Sequence, residues 1–343
     1  MSGDPAGDLP GIRARYSAFA EHEARCVSPL YEELARTAAE SEKTLRFIAT
    51  LPPGKQQPNL VLAAVRFLFG TPSDGPHFTR LVARAPEQIR QVVLRRSTQT
   101  NEPARCATLL PALGLLPQPL ALLEVGASAG LCLLPDRYGY DYGSARLDPS
   151  SSGVDGPPVF RCRANRHTPI PDHLPEIVWR AGLDRDPVDV FDADHIAWLE
   201  ALVWPGQDDR LERLQAALRI ARQARVRVER GDLVTDVPAL AASAPRHATL
   251  VIFHSATLVY VAPGDRVRFA EIIRGLDAVW IGNESPAVMP WVAERLDDAV
   301  PAGRFLLSID GEPVASTGPH GQSISWLAGE AVRTRATVNG GQP

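Results

Sequence analysis

The sequence predicts an α/β fold in which a doubly wound, mostly parallel sheet follows an all-helical region. Three observations carry the prediction. The chain has 343 residues, 45% apolar and 22% charged, enough material for a sizeable core and for about two domains at about 150 residues each. Up to about residue 105, apolar positions recur at helical spacing with no alternating strand between them. From Pro119 onward, short apolar β-branched runs alternate with helical stretches, the pattern of parallel strands covered by crossover helices.

Taken in order, a helix starts near Ser28, whose side chain caps free amides, with Pro29 in the first turn and Leu30, Leu34 and Ala38 on one face. The run 59–70, NLVLAAVRFLFG, reads as a buried helix ended by Gly70 and Pro72. Residues 79–97 continue the pattern, interrupted by Pro86. The helical region is placed at 1–105 and the α/β domain at 106–343. Five runs read as parallel strands: 121–127, 177–184, 225–232, 248–255 and 278–285. Two closing runs, 304–314 and 323–328, are expected as an antiparallel pair at one end of the sheet. Residues 135–175, rich in Pro, Gly and Ser, are too long for an ordinary connection and read as an insertion near the ligand side.

Composition narrows the function. A net charge of −4 without a basic cluster speaks against a nucleic-acid partner. There is no run of about 18 apolar residues and no signal-peptide block, so a cytoplasmic protein with no membrane partner is expected. Cys26, Cys106, Cys132 and Cys162 have neither zinc-ligand nor paired spacing, and are expected to be reduced thiols with no metal site. Lys43 and Lys55 are the only lysines, a compositional bias that makes single arginines weak evidence. The expected partner is a small-molecule substrate, with the helical region as the place for any homodimer contact.

The stretch 122–130, LLEVGASAG, puts Glu124 at the end of the first strand, then Gly126, Ser128 and Gly130, with Gly130 opening a helix. Gly126 permits a tight turn, and the small side chains let a ligand reach the backbone. A turn kept small for packing is the bland alternative. Asp184 ends the second strand, where a carboxylate can accept both ribose hydroxyls; Asp232 ends the third, placed to meet an adenine amino group or a neighbouring backbone. Equally, Asp184 can cap a turn.

This arrangement resembles the class I S-adenosylmethionine-dependent methyltransferases, whose Rossmann-like sheet carries an acid-x-Gly-x-Gly-x-Gly turn after the first strand. The resemblance implies S-adenosylmethionine as cofactor. Glu124, Gly126, Ser128 and Gly130 would then surround its methionine part, with Asp184 on ribose and Gly231 and Asp232 near adenine. Ser128 stands where that pattern has glycine. Asp184 lies 58 residues after Gly126, where about twenty is usual, so Asp141 is a rival ribose acid. Over nearly its full length the chain also resembles a bacterial, largely actinobacterial group, domain-of-unknown-function family 2332. Residues 100–113, 122–143, 198–205 and 250–261 carry that likeness.

His254 and Ser255 end the fourth strand and Glu284 the fifth, so His254 is the candidate general base, with Glu284 either sharing its cleft or capping the helix that starts after Pro286. A polar His254 bonded to the next loop is the alternative. Asn101, Glu102 and Arg105 precede the sheet as a lid, or as a surface ion pair between Glu102 and Arg105. Tyr138, Tyr140 and Tyr142 alternate along an extended segment, and Tyr140 is taken as a substrate-pocket residue, with packing against neighbouring strands as the alternative. GASAG also spells G-x-S-x-G around Ser128, so a serine hydrolase with His320 or His254 is a competing class. A non-catalytic cofactor- or partner-binding protein is another. A nicotinamide dehydrogenase is disfavoured by the missing third glycine.

Overall fold

The computed structural model describes residues 8–99, 101–149, 156–296 and 300–327. Its helices are α1 (Leu9–Ala18), α2 (Pro29–Glu40), α3 (Glu42–Ala49), α4 (Pro58–Phe69), α5 (Gly75–Arg84), α6 (Pro86–Arg95), α7 (Cys106–Gly114), α8 (Ala193–Leu202), α9 (Asp208–Ala224), α10 (Val237–Ala241), α11 (Pro263–Arg274) and α12 (Pro290–Ala293). Strands are β1 (Leu120–Val125), β2 (Gly139–Asp141), β3 (Arg146–Leu147), β4 (Val159–Arg161), β5 (Arg163–Ala164), β6 (Ile177–Asp184), β7 (Val228–Arg230), β8 (Thr249–Ser255), β9 (Val279–Glu284), β10 (Phe305–Ile309), β11 (Glu312–Thr317) and β12 (Ser323–Trp326). The chain divides into two compact units, residues 1–100 with 191–212, and residues 101–190 with 213–343.

The first unit is helical and holds α1 to α6 and α8. Tyr16, Tyr31, Leu45, Ile48, Phe78 and Trp198 meet in its core. Trp198 comes from the later stretch, and its indole N–H donates to the Ser97 carbonyl at 3.1 Å. Ser28 caps α2 by accepting the Tyr31 amide at 3.4 Å, while its hydroxyl donates to the Pro205 carbonyl at 2.7 Å. Residues 79–97 form parts of two helices. Ala85 ends α5 and Pro86 opens α6, a position where its missing N–H costs nothing.

The second unit is built on a nine-stranded sheet in the order β5-β12-β11-β10-β9-β8-β1-β6-β7. Five consecutive strands, β9, β8, β1, β6 and β7, run parallel. Chain order reverses at β1, which lies between β6 and β8. Beyond β9 the pairing turns antiparallel for β10, β11 and β12, and β5 closes that edge parallel to β12. The sheet is thus mixed and mostly parallel. One face is packed by a core that includes Leu123, Val125, Ile252, Trp280 and Phe269.

Three details differ from the sequence expectation. The run 304–314 is a hairpin rather than one strand, because Asp310 (φ 52°) and Gly311 (φ 82°) form a two-residue turn with both φ positive. That geometry suits Asp-Gly and the twist of the flanking strands. The sheet therefore closes with three antiparallel strands; Ala328, at the end of the last predicted run, lies outside the described residues. No α-helix opens at Gly130. Two 3₁₀ turns, Leu131–Leu133 and Pro135–Arg137, follow it, since Pro135 cannot continue a helical hydrogen-bond ladder. The insertion folds as a small sheet, β3-β2-β4, and also supplies β5. No helix among the described residues is long and apolar enough to cross a membrane.

Ser28→Ala removes a helix cap and a buried hydroxyl bond together, so it should lower stability by about 1–2 kcal/mol. Urea denaturation of the two proteins measures the difference.

Candidate functional site

Open α/β sheets bind ligands beyond the carboxyl ends of their strands, where chain order reverses. Here that region is formed by the ends of β1, β6, β8 and β9. Register sorts its side chains onto two faces. Glu124 is level with Phe253, Phe253 with Ile281, and Ser255 with Asn283, so these residues share one face. His254 is level with Gly282, and with Val125 and Glu284 it points the other way. His254 and Ser255, adjacent in sequence, therefore serve opposite sides of the sheet.

On the His254 face the polar groups bond chiefly to one another, with Glu284 Oε2 buried and without a partner. The imidazole is fully buried, with Nδ1 2.8 Å from Glu284 Oε1, and the Trp280 indole N–H donates to Nε2 at 3.0 Å. An indole can only donate, so Nε2 accepts, the proton sits on Nδ1, and the ring is neutral. Both nitrogens are occupied. The expectation of His254 as general base does not hold, because no proton-accepting lone pair reaches a substrate. Glu284 Oε1 also accepts the amides of Thr257 (2.8 Å) and Leu258 (3.1 Å), so Glu284 holds the loop after β8 and shares no open cleft with His254. That loop places Thr257 against Gly126. Gly126 has φ 75°, and a Cβ there would lie 2.2 Å from the Thr257 methyl. The space beside Gly126 is filled by the protein's own threonine.

The Glu124 face is different. Glu124 is buried, and its Oε2 has no hydrogen-bond partner. Burial pushes its carboxyl well above the usual carboxylate range, the neighbouring Cys132 thiol and Asp184 add to this, and Arg105 opposes it. Arg105 is also buried, and donates from Nε to the Pro319 carbonyl (2.9 Å) and from Nη1 to the Ser255 carbonyl (3.1 Å). Among the described residues neither Glu124 nor Arg105 belongs to an ion pair. Beside them Thr317 donates to Asn283 Oδ1 at 2.7 Å, and Asn283 Nδ2 donates to the Ser255 hydroxyl at 3.0 Å.

The stretch 101–105 closes over this face. The Asn101 amide donates to Ser128 Oγ at 2.9 Å, and its carbonyl accepts the Ala129 N–H at 3.1 Å. Glu102 is buried, accepting the Ala104 amide at 3.2 Å, while its backbone carbonyl receives the Cys132 thiol at 3.6 Å. His320 Nδ1 lies 3.9 Å from Glu102 Oε2. Gly321 (φ 80°) backs directly onto Ala104, where a Cβ would sit 2.0 Å from the carbonyl oxygen. The structure thus brings Asn101, Glu102, Arg105, Glu124, Ser128 and Ser255 together. A surface ion pair between Glu102 and Arg105 is not what forms.

Other candidates have local duties. Asp184 accepts the Ser128 amide on Oδ2 and the Asp186 amide on Oδ1, both at 2.8 Å, tying the turn after β1 to the end of β6. Gly130 closes that turn, its amide donating to Ala127 at 2.7 Å. Asp232 lies in a surface turn, pulled below its ordinary value first by Arg185, whose guanidinium stands 2.6 Å away. Gly231 packs against Asp236 and Leu183. Asp141 accepts the Gly143 amide at 2.9 Å in the small sheet. Tyr140 is fully buried and donates to the Pro135 carbonyl at 2.6 Å. Tyr138 and Tyr142 likewise bond Leu131 and Ala107, so Tyr140 is core of the insertion rather than a pocket wall. Ser128 takes the Asn101 amide while both nitrogens of His254 are held elsewhere, so no Ser128–His254 pair is assembled. Among the described residues no group of three His, Cys, Asp or Glu is placed to hold a metal ion.

The family described as an uncharacterized protein conserved in bacteria (DUF2332) matches residues 13–326. The chain belongs to this family. No curated protein and no solved structure matches it. The family match spans every element of the site, from Asn101 to Gly321. Thr257, Trp280, Asn283, Thr317 and Gly321 were not singled out from the sequence. The alternation of faces along β8 and β9 was the signal available for Trp280 and Asn283.

Two outcomes follow from the geometry. Gly126→Ala combines a left-handed backbone with a clash against Thr257, and should cost about 1–3 kcal/mol in thermal or urea unfolding. Glu124 has a folded-state value above its unfolded one, so its contribution is fully present at low pH and is lost as pH rises through the folded value. Glu124→Gln, neutral throughout, should therefore gain melting temperature over the parent as pH rises above the usual carboxylate range.

Proposed function

We propose that the protein binds S-adenosylmethionine, or its demethylated product, beyond the carboxyl end of β1 and methylates a small molecule. The observation that carries this reading is the orphaned, buried Glu124 Oε2, with the Arg105 guanidinium near it and outside any ion pair among the described residues. A buried carboxyl oxygen without a donor, beside a buried guanidinium that it does not pair with, is costly unless a ligand completes both. Their complement is a zwitterion, with an ammonium for Glu124 and a carboxylate for Arg105. The methionyl end of the cofactor has that form.

Topology supports the same reading. Numbered along the chain, the five parallel strands stand in the order 3-2-1-4-5, the doubly wound order whose reversal marks a ligand crevice. An antiparallel β10 follows where a dinucleotide-binding sheet would continue with a parallel strand. Asp184 lends one lone pair from each oxygen to the turn, and a carboxylate has further acceptor capacity for ribose hydroxyls.

When bound, the cofactor supplies an electrophilic methyl group on a positively charged sulfur. The chain's part is to bind, orient and exclude water. Glu124 and Arg105 fix the amino-acid end, and the stretch 101–105 covers the face. Ser255 accepts from Asn283, which leaves its own hydroxyl proton free to donate toward an acceptor substrate. Displacement on a preformed cation depends mainly on alignment, so a buried and neutral His254 is no obstacle. Serine hydrolysis through a Ser128–His254 pair has no comparable support, since both nitrogens of His254 are held elsewhere on the opposite face of the sheet.

Titration calorimetry with S-adenosylhomocysteine tests the proposal. One molecule should bind per chain, and Arg105→Ala or Glu124→Gln should each weaken binding by about 1.5–3 kcal/mol. A folded parent protein that gives no heat with this ligand, and no thermal stabilisation by it, sinks the reading.

A further inference from the structure

We propose that Glu124 holds a proton in the empty protein and releases it when a ligand's ammonium group docks, which couples binding at this site to proton release. The ligand's identity rests on the S-adenosylmethionine reading; the state of Glu124 in the empty protein does not.

The geometry leaves an ionised Glu124 with little support. Its side chain is on the central strand, 5% exposed, and no N–H or O–H donates to Oε2. The titratable groups that face it come from each element packed around it. Asp184 at the end of β6 and Cys132, after β1, disfavour a negative charge there, and the Cys106 thiol, opening α7, senses the carboxyl in turn. Tyr138, from the start of the insertion, also senses the carboxyl and is buried with its hydroxyl committed to Leu131. Arg105, the one cation facing it among the described residues, is outside ion-pair distance and has its Nε and Nη1 on two backbone carbonyls. A carboxyl with no donor in a low-dielectric place stays neutral.

An arriving ammonium changes both conditions at once, since it brings N–H donors and a positive charge. The carboxylic acid becomes a carboxylate paired with the ammonium, and its proton leaves to solvent. No bond other than O–H is broken, and no oxidant or reductant is involved. Affinity for an aminated ligand then tightens up to tenfold for each unit rise in pH while the empty-state carboxyl remains neutral. A nucleoside without the amino-acid end, such as 5′-methylthioadenosine, gains no such dependence.

The test has two arms on the full chain. Infrared difference spectra of the empty protein against Glu124→Gln, at about pH 6.5, should show a carboxylic-acid C=O band that the variant lacks. Its absence, with an ionised carboxylate in its place, overturns the proposal whatever the ligand. Calorimetry with S-adenosylhomocysteine at about pH 6.5, below the range where an α-amino group loses its proton, is run in two buffers of different ionisation enthalpy. About one proton should be released per ligand bound, against none for 5′-methylthioadenosine. Binding without release overturns the coupling alone. A neutral carboxyl with no S-adenosylhomocysteine bound at any pH overturns the cofactor assignment, and the coupling to this ligand with it.

Discussion

One carboxylate oxygen organises the carboxyl edge of the sheet. Glu284 Oε1 receives three donors, from His254, Thr257 and Leu258, and so joins β9, β8 and the loop that follows β8. Charge-assisted bonds of this kind are stronger than neutral ones, and burial shields them from water. Everything above that loop inherits its position. Thr257 is set against Gly126, the turn after β1 is thereby fixed, and Asp184 secures the far side of the same turn through the Ser128 amide.

The two faces of the sheet divide labour. Below, His254, Trp280 and Glu284 form a chain of bonds in which the indole forces the histidine tautomer. Above, the Glu124 carboxyl and the Arg105 guanidinium lie close without forming an ion pair, next to a polar row of Ser255, Asn283 and Thr317. The first arrangement stabilises the folded chain. The second costs stability, and such a cost is characteristic of sites shaped for a ligand.

Much of this was legible from residues alone. All five parallel strands were found, within a few residues, because each is a short apolar run bounded by polar or small residues. Ser28 announced its helix for the reason the structure bears out, a side-chain oxygen facing a free amide. The hairpin at Asp310–Gly311 carried its own signal in the Asp-Gly pair, which a single-strand reading passed over. The helix expected at Gly130 failed because Pro135 comes too soon. His254 and Glu284 were recognised as a pair at the strand ends, but their task was not. Whether a buried histidine takes a substrate's proton or a neighbour's depends on the partner of its second nitrogen, and Trp280 lies 26 residues away in sequence. Tyr140 shows the same limit, since alternation located its strand but could not say that its hydroxyl would meet Pro135.

The ends of the large sheet carry a consequence of their own. A long flat margin with unpaired amides invites a second molecule to extend it, and proteins with wide sheets commonly blunt that margin. Here one border is the two-residue β5, Arg163–Ala164, lent by the insertion, and the other is the three-residue β7, Val228–Arg230, which bears Glu229 and Arg230. Stubby, charged borders give a neighbour too few amides to zip onto, so the segment that crowds the middle of the chain also helps keep a nine-stranded surface from growing into an aggregate.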